Sequence, residues 1–147
     1  MMWLGRALAE EGYIAVAVDH HGNTAAEESF DPRGFRTWWE RSRDLTFALD
    51  ALLANDTFGR LIDQDRLGAA GFSLGGYTVT ALAGGQTDRE LFRAFCASEQ
   101  ADATCHPQPE YPNADADLEA LIEADPSIAQ QLQAYKPPSP ILASTVS

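Results

Sequence analysis

Gly71-Phe72-Ser73-Leu74-Gly75-Gly76 is the stretch whose residue types and spacing could do chemistry. A serine hydroxyl becomes a useful nucleophile when it is lifted onto a sharp strand-to-helix turn. It also needs a base in reach and backbone N–H groups facing the carbonyl oxygen that gains charge. Such a turn strains the serine's backbone and demands neighbours without bulk two residues on either side. Gly71 and Gly75 meet that demand, and Gly76 gives room where the helix start is pressed against the layer beneath it. Ser73 is therefore the candidate nucleophile. The Leu74 N–H, unpaired at a helix N-terminus, is a candidate oxyanion donor. The competing reading is a glycine-rich turn with a structural serine.

A serine nucleophile needs a base, and the chain offers His20, His21 and His106. His20 and His21 follow the apolar run Tyr13–Val18, at the end of a strand where open α/β sheets gather their ligands. The functional reading is a pocket rim; the alternative is a pair of satisfied loop histidines. His106 stands in a proline-rich stretch and reads as loop surface. Asp88, Asp102, Asp115, Asp117 and Asp125 follow Ser73, but each reads as a cap or a solvated loop charge. Neighbouring His side chains in an extended segment point to opposite sides, so Asp19-His20-His21 is a poor metal site. Cys96, Cys105 and His106 lack a fourth ligand, and no metal is expected. Cys96 and Cys105, nine positions apart, are either a disulfide or two unrelated thiols. Trp38 and Trp39 could line an acyl pocket, although Trp38 at helical spacing reads as core. The glycines do not space as a dinucleotide fingerprint and no lysine follows for a phosphate loop, so no cofactor is expected.

These side chains must be positioned by the elements around them. Trp3 to Glu11 carries Leu4, Ala7 and Leu8 on one helical face and stops at Gly12. Tyr13 to Val18 is a continuous apolar run, the pattern of a parallel strand covered on both faces. A polar loop, His20 to Phe35, leads into a helix over 36–54 with Trp38, Leu45, Leu49, Leu52 and Leu53 on one face. Leu67 to Phe72 is a second buried strand, and the elbow then opens a helix that stops at Gly84-Gly85. Thr87-Asp88-Arg89-Glu90 looks like a capping box before a helix bearing Leu91, Phe92 and Phe95. Pro107, Pro109 and Pro112 break regular structure, after which short helices are expected over Ala116–Ala124 and Ser127–Tyr135. Ile141-Leu142-Ala143 could begin a further strand. The order helix, strand, helix, strand, elbow, helix implies right-handed crossovers and an α/β, doubly wound parallel sheet. The expected organisation is one partial domain over 1–147, with a core at 1–97 and a loop and helical insertion at 98–140.

The chain has 147 residues, 45% hydrophobic and 22% charged, enough for one globular core. Its net charge of −12, from 22 acidic and 10 basic residues, argues against nucleic acid or an anionic membrane as partner. No apolar run is long enough to span a bilayer, and Arg6, Glu10 and Glu11 interrupt any signal-peptide core.

Three runs carry a family likeness: Gly12 to Thr24; Glu40-Arg41 with Asp44-Leu45; and Asp65 to Tyr77, which holds the elbow. Together they resemble the α/β-hydrolase superfamily. The likeness is nearest the dienelactone hydrolase branch, with its relatives similar to platelet-activating-factor acetylhydrolase, and covers about Trp3 to Cys105. The resemblance implies that Ser73 attacks the carbonyl of a small-molecule ester or lactone, with the Leu74 N–H holding the oxyanion. It also implies strands before the first helix, a loop after one of them bearing the second oxyanion donor, and an acid and a histidine late in the order Ser, Asp, His. Those pieces have no counterpart here, so the chain reads as an internal part of a longer hydrolase or the product of a shifted or prematurely ended frame. A catalytically silent fragment or interaction module is the alternative. A sheet lacking its outer strands would leave an apolar edge, and self-association through that edge is expected.

Overall fold

The computed structural model describes residues 2–24, 26–28, 34, 36–106 and 114–135, the side chains of 114–117 excepted. Six α-helices lie among them: α1 (Met2–Glu10), α2 (Glu40–Leu53), α3 (Leu74–Leu82), α4 (Arg89–Cys96), α5 (Ala114–Ala124) and α6 (Ser127–Ala134). A 3-10 turn, Ala103–Cys105, follows α4. The expected proline breaks at 107–113 and the closing segment at 136–147 lie outside the described residues.

The helix termini follow local chemistry. Gly12 at φ +86° and Gly84 at φ +91° stand just beyond α1 and α3 in the left-handed region, where a Cβ would be strained. Behind each, the next amide reaches back across the turn, Tyr13 N–H to the Leu8 carbonyl at 3.0 Å and Gly85 N–H to the Thr80 carbonyl at 2.9 Å. These bonds satisfy carbonyls that the last helical turn leaves open. The cap of α4 falls one residue later than Thr87. The Asp88 carboxylate accepts the Glu90 and Leu91 N–H groups, both at 2.9 Å, because an aspartate serves as well as a threonine there.

The expected parallel sheet is not present. Among the described residues no strand forms: Tyr13–His20 and Leu67–Gly71 run without regular secondary structure and do not pair with each other. Each extended segment needs a neighbour to complete its ladder and cover its apolar side chains, and neither finds one among the described residues. Tyr13, Ile14 and Val16 are accordingly exposed, at 54%, 45% and 53%. An apolar run states how much cover a segment needs; the partner that would supply it must come from elsewhere.

The core gathers around Trp39, fully buried on the turn into α2, with Leu118 and Leu121 of α5 and Ile128 of α6. Trp38, Ile122, Leu132 and Tyr135 pack against this cluster. Trp38 meets Trp39 edge to face with ring centroids 5.2 Å apart, and meets Tyr77 of α3 in the same manner at 5.0 Å. The buried tryptophan is thus Trp39, with Trp38 at the margin. The expected α2 stripe of Leu45, Leu49, Leu52 and Leu53 is only half-buried. Helices α2 and α3 pack together, as do α5 and α6. Cys96, closing α4, is joined in a disulfide to Cys105 at the end of the 3-10 turn. No described helix is long and apolar enough to cross a membrane.

Candidate functional site around Ser73

Ser73 immediately precedes α3 at φ +53°, ψ −121°. Among the described residues it is the one non-glycine with positive φ, a conformation costing about 1–3 kcal/mol that its surroundings must enforce. They do so through the serine's own carbonyl, which accepts the Gly76 N–H at 2.8 Å and the Tyr77 N–H at 3.2 Å. Those two bonds fix the Ser73–Leu74 peptide plane. In a trans peptide the N–H lies opposite the C=O, so the Leu74 N–H is turned away from the helix body. The first amide of a helix has no intrahelical acceptor, and among the described residues nothing takes this one. The Ser73 side chain is exposed and makes no capping bond.

The glycine requirement divides unevenly. A Cβ on Gly71 would stand 2.1 Å from the Gly75 carbonyl oxygen and 2.8 Å from the Gly76 nitrogen. Only glycine fits there. A Cβ on Gly75 meets nothing within 4 Å, and one on Gly76 would come no nearer than 3.7 Å to the Gly71 oxygen. The turn closes on itself, so the contact that excludes a side chain is between Gly71 and the backbone of Gly75, and it is felt at the first of the pair.

His20 is 8% exposed, and its Nδ1 lies 2.6 Å from Asp44 Oδ2 on α2. His21 is exposed, with Nδ1 2.7 Å from Glu27 Oε1; the second oxygen of that carboxylate accepts the Gly22 N–H at 2.7 Å. The two rings take different partners, and neither has a hydrogen bond to Ser73 among the described residues. His106 is exposed beside the 3-10 turn. Asp44 is the residue here that the sequence did not single out as a partner for a histidine. Its pairing with a histidine 24 positions earlier has no local signature, since i,i+3 and i,i+4 spacings show only partners on the same helix.

Asp44 also attracts Arg41, one turn earlier on α2. Burial pulls the Arg41 pKa below its ordinary value and the carboxylate pushes it back up. Arg41 Nε donates to Thr78 Oγ1 at 3.1 Å, and Thr78, 2% exposed on α3, donates in turn to the Leu74 carbonyl at 2.9 Å. Behind this pair, burial raises the Tyr77 phenol to about 12, while Thr87 Oγ1, at 3.5 Å, pulls the other way and Tyr135 raises it further. Tyr135 OH lies 2.9 Å from Ser42 Oγ. An open depression of about 340 Å³ is lined by Glu40, Arg43, Gln131, Ala134 and Tyr135. Its walls include none of the residues singled out for chemistry, and its Glu40–Arg43 ion pair, 3.1 Å apart, is largely solvated.

Three comparisons with known proteins bear on this arrangement. Residues 1–101 match the model of the prolyl oligopeptidase family. Over 93 residues the chain is 34% identical to Lipase 1 of Moraxella sp. (strain TA144), which spans 63% of this chain and 25% of that protein. Over 96 residues it is 33% identical to Dipeptidyl-peptidase 5 of Porphyromonas gingivalis, spanning 65% of this chain and 13% of that protein. The chain therefore matches a quarter or less of the length of these curated relatives. No solved structure matches it. The matched stretch contains both the elbow and the His20–Asp44 pair, and on it the chain belongs to the prolyl oligopeptidase family, a serine hydrolase family of the α/β-hydrolase type.

Proposed function

We propose that this chain carries the nucleophile elbow of a serine hydrolase acting on small carboxylic esters or lactones, as in the dienelactone hydrolase-like branch. The observation that carries the reading is the positive-φ backbone of Ser73 directly before α3, inside Gly71-Phe72-Ser73-Leu74-Gly75. A relative named a lipase supports the ester class. In the proposed reaction Ser73 Oγ bonds to the substrate carbonyl carbon while its proton passes to a general base. The carbonyl π pair moves onto oxygen, where the Leu74 N–H stabilises it. Collapse expels the alcohol, which takes up a proton, and water then releases the acid from the serine ester. His20 and His21 would border the pocket.

A fluorophosphonate probe tests this directly. The expected outcome is one covalent adduct on Ser73, absent after Ser73→Ala; no adduct on the unmodified chain overturns the reading. A second reading, a catalytically silent module, draws on the absence of any hydrogen bond to the Ser73 hydroxyl among the described residues. Turnover of a p-nitrophenyl short-chain ester, lost in Ser73→Ala, would reject it.

A further inference from the structure

Thr78 sits one turn beyond Leu74 and is 2% exposed. A threonine bonding back to the carbonyl four residues earlier is common in helices and by itself means little. Here the same oxygen also accepts a hydrogen bond from Arg41, on a different helix 37 positions away. One hydroxyl thereby uses its single proton on Leu74 and a lone pair on Arg41. The arrangement is costly: Arg41 Nη1 is buried without a hydrogen-bond partner among the described residues, and removing a guanidinium from water is unfavourable. Core packing would be served more simply by a valine and a leucine. The atoms that benefit belong to Leu74, directly after the strained serine.

We propose that Arg41 and Thr78 are positioning residues for the elbow: the guanidinium orients the Thr78 hydroxyl, the hydroxyl holds the Leu74 carbonyl, and the first turn of α3 is thereby kept as the rigid seat whose Gly76 and Tyr77 amides fix the Ser73–Leu74 peptide and aim the Leu74 N–H. Asp44, which holds His20 at 2.6 Å, lies one turn from Arg41 on α2, so the loop after residue 18 and the start of α3 both make their bonds to the same stretch of that helix. The inference rests on the reading of Ser73 as nucleophile for its consequence, though not for its geometry.

Two measurements on the full chain separate the two. The first is the rate of Ser73 modification by a fluorophosphonate in Thr78→Val, Thr78→Ser and Arg41→Met. Valine keeps the volume of threonine and removes both bonds, whereas serine keeps both and loses a methyl. Thr78→Val and Arg41→Met are expected to slow modification about 10–100-fold, the effect of a small misplacement of catalytic atoms. Thr78→Ser should restore the rate to within a few-fold. The second is hydrogen exchange followed by mass spectrometry over residues 72–82, with 127–134 as the internal control for folding. Exchange at the elbow is expected to quicken about tenfold in Thr78→Val and Arg41→Met and to return in Thr78→Ser, at constant exchange in the control. A labelled chain whose rate is untouched by Thr78→Val overturns the proposal, as does unaltered elbow exchange. An unlabelled chain whose elbow still loosens in Thr78→Val and recovers in Thr78→Ser leaves the brace standing and removes the hydrolase reading instead.

Discussion

At the scale of single residues, the two glycines flanking the serine are alike in sequence and different in space. Gly71 faces backbone at 2.1 Å and Gly75 faces none, so a Cβ is impossible at one and unopposed at the other. Gly71→Ala must push the backbone of Gly75 aside, an overpacking strain expected to destabilise the chain by about 3 kcal/mol or more. Gly75→Ala lies in the first turn of α3, where alanine's better helix propensity offers up to about 1 kcal/mol. Urea unfolding of the two variants should therefore shift in opposite directions; equal losses would show that the turn does not close as described. The strained turn at Ser73 was legible because the small residues it needs leave a mark on consecutive positions. Asp44 was not, because its partner His20 is 24 positions away and only the folded chain brings them to 2.6 Å.

Among elements, helices were readable and strands were not, for a physical reason. A helix closes its hydrogen bonds within itself and announces its ends through caps, so Gly12, Gly84 and the Asp125-Pro126 start mark α1, α3 and α6 within a residue or two. A strand's bonds belong to its neighbour. The runs Tyr13–Val18 and Leu67–Phe72 therefore read as covered strands, whereas the described residues neither form strands there nor cover most of these side chains. Helix α4 shows what else an element may depend on. Its eight residues include none that is buried, and Leu91 and Phe92 are 69% and 48% exposed, so packing does little to hold it. A helix this short is marginal in isolation. What holds it is the Asp88 cap at one end and, at the other, the Cys96–Cys105 bridge. Thr104 hydrogen bonds lower the Asp102 pKa, and that ionised carboxylate shapes the turn carrying Cys105. Closing a loop of nine residues is worth about 2.5 kcal/mol in the chain-entropy account. Reduction, or Cys105→Ser, is expected to remove about that much and to let the 89–96 amides exchange freely while those of 127–134 hold. Undisturbed protection of α4 after reduction would mean that the bridge does not anchor it.

For the whole molecule, two opposing surface properties decide what the chain does in solution. Trp3, Tyr13, Ile14, Val16, Phe47, Phe58, Leu61, Phe72, Leu91 and Phe92 are all exposed, and Tyr13, Ile14 and Val16 crowd one extended segment, which favours association. Since no sheet forms among the described residues, association is expected through the exposed side chains of the extended segments rather than through a sheet edge. Against it stands a net charge of −12, which makes every pair of copies repel. The two respond differently to salt. At about 0.01 M the screening length is roughly 30 Å, comparable with the molecule, while at 1 M it is roughly 3 Å and copies meet almost without repulsion. The hydrophobic attraction is not weakened by that change. Light scattering coupled to size exclusion should therefore give a mass near 16.0 kDa at the lowest salt and a multiple of it at 1 M. Replacing Ile14 and Val16 together by threonine should move the onset to higher salt, since both lie in one exposed extended segment. A single monomeric mass across the whole range would mean that these side chains find cover within the chain itself, contrary to their exposure.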